Sequence, residues 1–242
     1  MPRILSSKRF LKNKRTAALF LIFIIVFFVF LYFGNMYVSV RKIEVSSPEG
    51  TIRIVGIENF YFKNIFLLFD GQIERIIYEN NSQVKRVRVA KKYPDTLHLF
   101  IEFDRPIVAL EVDQGYFLLT GEGRIIAKRK KTSLKTPVMK YYQKLHYTAY
   151  QAGDTLKLKD LLLALHFTKQ ASDLGFSASG IDINGLDMIR LQVDKKVIFF
   201  TTEKDRETQD YQLERLVRQF KIEGKDFKTL DLRFDKPIVT LQ

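Results

Sequence analysis

Residues 17–33 read AALFLIFIIVFFVFLYF, and no charged side chain interrupts them. Extended to Val38, the run covers about 22 residues and would reach about 33 Å as an α-helix at roughly 1.5 Å per residue. About 20 apolar residues cross a hydrocarbon core about 30 Å thick, and a buried globular helix rarely stays apolar on every face over this length. The run therefore predicts a transmembrane helix over residues 17–38.

The residues on either side of this run predict its orientation in the membrane and whether it is cleaved. Six cationic residues and no acidic residue precede it, namely Arg3, Lys8, Arg9, Lys12, Lys14 and Arg15. This asymmetry predicts a basic cytoplasmic tail over 1–16 and places residues 39–242 outside the plasma membrane. A cleaved signal peptide has a shorter apolar region, about 7–15 residues, that ends at a small-residue site. Gly34-Asn35-Met36-Tyr37 is a poor site of that kind, so an uncleaved anchor is favoured.

Composition narrows the classes of function. The chain has 40 Lys+Arg against 27 Asp+Glu, a net charge of +13, of which six charges lie in the tail. Because the bulk of the chain is expected outside the cell membrane, nucleic acid is disfavoured as a partner. The absence of cysteine excludes disulfides, thiolate zinc sites and a Cys nucleophile. Three histidines leave little room for a metal site or a His-based triad.

Residues 39–104 read as a small α+β unit. Alternation predicts a strand over 40–46, and residues 51–69 mix helical and extended patterns. A helix is expected from Asp70, as a possible cap, to about Asn80, with Ile73, Ile76 and Ile77 on one face. Two strands follow around the turn Lys92-Tyr93-Pro94-Asp95, the second over 96–104 with alternating apolar residues.

Residues 105–242 read as a β-rich unit with two helices. A strand pair is expected around Asp113-Gln114-Gly115, and amphipathic helices over 158–174 and 205–222. Further strands are expected over 181–183, 188–193, 196–201, 229–234 and 238–241, with Asn184-Gly185 as a favoured hairpin turn. The basic run 128–131 is interpreted as a solvated loop, with contact to anionic lipid or wall polymer as the alternative.

Motifs for chemistry are nearly absent. Ser82 and Lys85 fit the Ser-x-x-Lys pattern of penicillin-binding enzymes, but the Ser-Asp-Asn and Lys-Thr-Gly partners do not occur in the sequence. Asp182, Asn184 and Asp187 lack EF-hand spacing and its terminal Glu. A catalytic pair of carboxylates, as in glycosidases, stays open as an alternative, because acidic residues are plentiful and no pair stands out. No catalytic residue, metal site or cofactor is therefore predicted.

Several segments, taken in order, resemble the FtsQ/DivIB family of bacterial division proteins. Residues 84–99 (VKRVRVAKKYPDTLHL), with their Tyr-Pro-x-Thr-Leu run, and residues 230–234 (LDLRF) are together fairly specific. Weaker matches are residues 40–45, Asn64-Ile65-Phe66, residues 102–109 (EFDRPIVA) and residues 116–126. The sequence departs from the family at residues 46–63, at Phe103-Asp104-Arg105, and at Thr120, where the family usually has Asp.

The resemblance implies a single transmembrane helix, a POTRA domain over 39–104 and a β-rich FtsQ-like domain over 105–242. It implies a non-enzymatic divisome scaffold that binds FtsB/DivIC-like and FtsL-like bitopic proteins at the septum. It also implies that residues 17–38 contact membrane lipid. Two other classes stay open: a POTRA-bearing anchor for secretion or another envelope assembly, and an enzyme acting on wall polymer.

The expected partner-binding residues lie at the end of the chain. A sheet that ends there leaves an edge strand with unpaired backbone groups, to which a partner strand can add. In the family the final strand region makes this contact. Carried to matching positions, it implicates Arg233, Phe234, Ile238, Val239, Thr240 and Leu241. Arg233 could pair with a partner carboxylate and Phe234 could be an anchor; alternatively, Leu230 and Leu232 fill the core and Phe234 only caps it.

Overall fold

The computed structural model describes residues 7–48, 53–132, 135–185 and 187–241, with side chains from residue 19 onward. Arg3 of the predicted tail, and Glu49 and Gly50 of the turn after the first strand, lie outside the described residues. By contacts, the chain forms two compact units. The first comprises Met1–Asn80 and Arg86–Glu102, and the second comprises Asn81–Lys85 and Phe103–Gln242.

The apolar run forms the middle and end of one long helix, α1, which spans Ser7–Tyr37. It begins well before residue 17, so most of the basic tail is also helical. Its segment Leu19–Tyr37 is long and apolar enough to cross a membrane, with a mean hydropathy of 2.6 and no part of it buried by the rest of the chain. Such uniform exposure of apolar side chains is unstable in water and suits a lipid environment.

The rest of the first unit is a three-stranded sheet with one α-helix and a short 3-10 turn. Its elements are β1 (Lys42–Ser46), the 3-10 turn Ile57–Phe60, α2 (Asp70–Asn80), β2 (Val84–Lys92) and β3 (Thr96–Phe103), except that the contacts assign the first two residues of β2 and the last residue of β3 to the second unit. The strand order is β1-β3-β2, with β1 parallel to β3. The predicted strands and the helix are confirmed. In the segment 51–69, where the sequence pattern is mixed, the 3-10 turn is the only helix or strand among the described residues 53–69.

The start of α2 differs in detail from the expectation. The carbonyl of Phe69 accepts the N–H groups of Gln72 and Ile73, which puts Phe69, rather than Asp70, at the cap position. The Asp70 carboxylate instead lies 3.2 Å from the Lys91 ammonium. Ile73 and Ile77 are fully buried, as is the alternating stripe of β3 that begins with Leu97 and Leu99. The small core therefore lies between α2 and one face of the sheet.

The second unit is built on a nine-stranded sheet. Its strands are β4 (Val108–Val112), β5 (Gly115–Leu119), β6 (Ile125–Arg129), β7 (Val138–Tyr141), β8 (Ala178–Asn184), β9 (Met188–Val193), β10 (Lys196–Thr201), β11 (Phe227–Asp231) and β12 (Ile238–Leu241). The order is β12-β11-β10-β9-β8-β7-β4-β5-β6. Three neighbouring pairs are parallel, β4 with β7, β7 with β8, and β10 with β11.

Two helices connect two of the three parallel pairs. α3 (Lys159–Asp173) joins β7 to β8, and α4 (Arg206–Glu223) joins β10 to β11. The side chain of Asp205 accepts the N–H of Thr208, and Gly224 ends α4 in the left-handed conformation, as N-cap and C-cap residues do. The rings of Phe167 on α3 and Phe200 on β10 stack at 4.1 Å. The larger core thus lies between these helices and the sheet.

Two expectations for this unit need correction. Lys128 and Arg129 belong to β6 rather than to a solvated loop; the Lys128 ammonium donates to the Tyr150 carbonyl and lies 4.3 Å from the Tyr147 ring centroid. The penultimate strand begins at Phe227 and ends at Asp231, so residues 232–234 form a loop rather than the end of the strand. The coarse architecture is one apolar helix followed by a mixed, sheet-rich α+β region.

Candidate functional site: the open edge of the nine-stranded sheet

β12 is the last strand of the nine-stranded sheet, with β11 as its neighbour on one side. The pair is antiparallel, with Asp231 opposite Ile238 and Leu230 opposite Val239. A register shift near Lys228 marks a bulge, which bends and twists a strand locally. Every second residue of such an edge strand directs its N–H and C=O away from the sheet. This backbone is the part of the predicted site that can bind another strand.

The side chains of β12 divide between the two faces of the sheet. Val239 packs against the core beside fully buried Leu230. Ile238 and Leu241 are 56% and 50% exposed, and Thr240 is exposed as well. An edge that combines free backbone groups with exposed aliphatic side chains attracts a further strand unless something covers it. Of the four predicted β12 residues, Val239 thus belongs to the core side, and the other three are exposed along the edge.

The opposite edge of the same sheet is closed at its start by the chain itself. Ile125 on β6 donates its N–H to the Asp154 carbonyl at 2.8 Å and accepts the N–H of Gly153 at 2.7 Å. Two residues before Ile125, the carbonyl of Gly123 accepts the N–H of Leu156 at 2.9 Å. Gly123 has φ +78°, and a Cβ there would lie 2.8 Å from the Leu156 oxygen, so this close approach requires glycine. The two edges therefore differ, since β6 is partly capped, whereas among the described residues no segment beyond β11 pairs with β12.

Lys204 holds the loop that leads into β12. Its ammonium donates to the carbonyls of Leu232 and Phe234, at 3.1 and 2.6 Å, and to Oε1 of Gln212 at 2.7 Å. Gln212 in turn donates from Nε2 to the Asp235 carbonyl at 2.9 Å. Three carbonyl groups of the loop are thus fixed by side chains from α4 and the segment before it, which reduces the freedom of the loop.

Arg233 is engaged within the chain. Its Nε and Nη2 donate to the two carboxylate oxygens of Asp231 at 2.9 and 2.7 Å, a bidentate geometry that makes strong charge-assisted bonds. Burial opposes ionisation of Asp231, but the hydrogen bonds and charge of Arg233 outweigh it, so the pKa of Asp231 is lowered. The same pair raises the pKa of Arg233. A partner carboxylate would therefore share this guanidinium with Asp231.

Phe234 is half exposed, whereas Leu230 and Leu232 are fully buried in the core. The Arg233 guanidinium lies 5.6 Å from the Phe234 ring centroid and 5.3 Å from that of Phe199, within reach of a cation–π interaction. The two leucines thus fill the core, and the exposed half of the Phe234 ring offers apolar surface beside the edge strand; its role as a partner anchor stays a prediction.

A cavity of about 400 Å³ adjoins this loop. Arg233, Phe234 and Lys204 line it together with three carboxylates, those of Asp187, Glu203 and Asp235. Because both signs of charge converge, the cavity suits a polar or charged side chain of a bound segment better than an apolar one.

Sequence reasoning missed Lys204, Gln209 and Gln212. Gln209 is fully buried and exchanges hydrogen bonds of 2.9 Å with the backbone of Thr201 through both amide atoms. A signal for it exists, because Gln209 continues the stripe of Leu213 and Val217 on the buried face of α4 at helical spacing. A polar residue in that stripe indicates a buried polar contact. No comparable signal marks Lys204.

The residues of the Ser-x-x-Lys motif, of the acidic hairpin turn and of the Thr120 position make structural contacts. The Ser82 hydroxyl donates to the Ile126 carbonyl at 2.9 Å, and Asp182 pairs with Arg190 at 2.8 Å. Buried Thr120 accepts the N–H groups of Glu122 and Arg124, as an Asp in a turn would. In the part of the chain that the structure describes, no three His, Asp or Glu side chains converge as a possible metal site.

No protein-family model matches this sequence, and no curated protein matches it. The geometry of the described residues and the segments quoted above therefore carry the functional interpretation.

Proposed function

We propose that the protein is a non-enzymatic, single-pass membrane scaffold of the FtsQ/DivIB type. The succession of elements supports this: one apolar helix, a unit ordered strand, 3-10 turn, helix, strand, strand, and then a sheet-rich unit. In this proposal residues 39–104 form a POTRA domain and residues 105–242 form the β-rich domain.

The N-terminus lies in the cytoplasm and the two units lie outside the plasma membrane. Six cationic residues before the apolar run, with no acidic residue among them, favour this orientation. A protein held in this way meets other envelope proteins through its external units, and the septum is its expected location.

The single observation that carries the scaffold proposal is the open β12 edge. A segment of a partner adds to β12 as a further strand, with backbone hydrogen bonds for affinity and side chains for register. Ile238, Thr240 and Leu241 contact the added strand, and Phe234 beside it serves as the apolar anchor. Exposed aromatic residues at the centre of an interface commonly supply much of the binding energy.

The partners are FtsB/DivIC-like and FtsL-like bitopic division proteins, through which the scaffold links to septal wall synthesis. Such proteins are anchored in the same membrane, so that binding is confined to two dimensions and a modest interface is sufficient. No bound cofactor is required for this role.

Two measurements on the full chain test the proposal. A fluorescent fusion to the N-terminus should form a band at midcell, and the FtsB/DivIC-like and FtsL-like proteins should co-purify with the detergent-solubilised protein. A uniform distribution around the cell envelope, with neither protein recovered, would contradict the division role and favour a different envelope assembly.

A further inference from the structure

The loop before α2 exposes an unusual amount of apolar surface. Phe62 and Leu67 are 81% and 70% exposed, and the other members are also exposed. The set, called here the juxtahelical patch, consists of Tyr61, Phe62, Phe66, Leu67, Phe69 and Tyr93. The rings of Phe66 and Tyr93 stack at 4.8 Å. Grouped exposed apolar side chains of this kind mark an interaction surface.

The patch is tied to the end of α1 by hydrogen bonds. Nδ2 of Asn64 donates to Oδ1 of Asn35 at 2.6 Å, and the N–H of Ile65 donates to the Val38 carbonyl at 3.0 Å. Val40 both donates to the Lys63 carbonyl and accepts the N–H of Phe62, each at 2.9 Å. The loop therefore lies beside the last turn of the helix.

This attachment sets the depth of the patch. The segment Leu19–Tyr37 contains 19 residues, about 28 Å of helix at roughly 1.5 Å per residue, which matches a hydrocarbon core about 30 Å thick. Asn35 then lies at the boundary between acyl chains and headgroups. Phe62, Phe66 and Leu67 are two or three residues from Asn64, at most about 11 Å of chain, which keeps them within reach of that boundary.

The backbone at Phe62 adds an independent observation. Its φ is +61°, a left-handed conformation that is uncommon and strained for a bulky residue. The same side chain is the most exposed of the patch. Strain and exposure of an aromatic residue together indicate that its position serves an interaction rather than the core.

The surrounding charge favours lipid as the occupant. Lys63 is exposed within the loop, and Arg41 follows the helix, where its guanidinium donates to the Met36 carbonyl at 3.1 Å. Aromatic rings concentrate at headgroup depth, and nearby cations are attracted by phosphates and anionic lipids. Rings and cations are therefore combined at the level where a bilayer offers both environments.

We propose that the juxtahelical patch inserts into the headgroup layer of the leaflet at which α1 ends, and so holds the first unit against the membrane. The inference rests on the proposed transmembrane placement of α1, although it does not depend on which leaflet is external. The ligand class is a phospholipid surface that contains anionic headgroups.

The absence of tryptophan from the sequence permits a direct test. Three single-tryptophan variants of the full chain, Leu67→Trp, Phe28→Trp and Tyr211→Trp, are reconstituted separately in vesicles of phosphatidylethanolamine and phosphatidylglycerol. Matched vesicles carry bromine on the acyl chains, either close to the headgroup or near the bilayer centre, and bromine quenches tryptophan at close range. Phe28 lies in the middle of α1, and Tyr211 is an exposed aromatic residue on α4, in the second unit.

The expected pattern separates the patch from the span. Leu67→Trp should lose at least about half of its emission with bromine close to the headgroup, as a group buried about 5–10 Å into the interface would. Phe28→Trp should be quenched most by bromine near the centre, and Tyr211→Trp by neither lipid. Phe69→Trp gives a second reading of the patch if Leu67→Trp folds poorly.

Two results would overturn the proposal and still be consistent with a transmembrane α1. In both, Phe28→Trp is quenched and Leu67→Trp is not. If the Leu67→Trp emission is also as water-exposed as that of Tyr211→Trp, the patch is free in solution. If it is shifted to the blue, protein covers the patch instead of lipid. Unquenched Phe28→Trp would instead remove the transmembrane placement, and with it this inference.

Discussion

Asn35 in α1 and Asn64 in the loop before α2 are joined side chain to side chain by a hydrogen bond of 2.6 Å. The same Asn64 side chain accepts the N–H of Phe66 through Oδ1 at 2.9 Å. One amide group therefore links the loop to the helix and also shapes the turn that exposes Phe66.

Substitutions at Asn64 should separate these two roles. Asn64→Ala removes both bonds, whereas Asn64→Asp keeps an oxygen for Phe66 and loses the donor to Asn35. Because a hydrogen bond contributes about 1 kcal/mol, the Phe66 amide should exchange about fivefold faster in Asn64→Ala and nearly normally in Asn64→Asp. Hydrogen exchange on the full chain in lipid nanodiscs measures this. Equal acceleration in both variants would show that the turn depends on the link to Asn35.

Phe234 should contribute strongly to partner binding. Phe234→Ala is expected to weaken binding of the FtsB/DivIC-like and FtsL-like pair by more than about 1 kcal/mol, because it removes an exposed aromatic anchor, and to leave the fold intact. Ile222→Ala is the matched control, since Ile222 is 80% exposed at the end of α4. Calorimetry with the purified pair measures both. Unchanged affinity for Phe234→Ala would exclude Phe234 as the anchor.

Lys204 should be needed to order the loop 232–237. Lys204→Met keeps much of the aliphatic stem but leaves the carbonyls of Leu232 and Phe234 without this donor, at a cost of about 1–3 kcal/mol. Amide exchange in residues 232–236 should accelerate, and affinity for the partner pair should fall. Lys236→Met, in the same loop but at an exposed position, should change neither. A Lys204→Met protein with normal exchange and affinity would refute this role.

The Asp231–Arg233 pair should make stability depend on acid pH. The pKa of Asp231 in the folded protein is below its ordinary value of 3.8, so the stabilising contribution is complete above about pH 3.8 and is lost as pH falls through the lower folded pKa. The stability difference between the wild type and Asp231→Asn should therefore be constant near neutral pH and shrink only below about pH 3.8. Carbon NMR titration of the Asp231 carboxyl gives its midpoint directly. A midpoint above 3.8 would contradict the ion pair.

Local patterns predicted most elements because their causes are local. The alternation of Leu97, Leu99 and Ile101 defines β3, and the cap residues Asp205 and Gly224 bound α4. The predicted strand 229–234 is wrong at its end, because Leu230 and Leu232 alternate as strand residues do although residues 232–234 form a loop. Leu232 is buried and its N–H still donates to the Phe199 carbonyl of β10, but the paired residues of β11 end at Asp231.

Sheet order could not be read in the same way. The parallel pairs join strands that are distant in sequence, such as β10 and β11 across α4, and pairing of this kind has no local signature. The capping of β6 by Gly153 and Asp154 has the same non-local origin. Only the assembled sheet therefore distinguishes a partly closed edge from an open one.

The amino-acid sequence is sufficient to predict the apolar helix, the alternating strands and the amphipathic helices, because side-chain transfer energies and backbone periodicity act over a few neighbouring residues. The folded structure was needed to show that β12 lies at the sheet edge, that Asp231 engages Arg233, and that Lys204 orders the adjoining loop. The folded structure was also needed to show that the loop with Phe62, Phe66 and Leu67 lies beside the end of α1. These features depend on which distant segments meet, and only the folded chain brings those segments together.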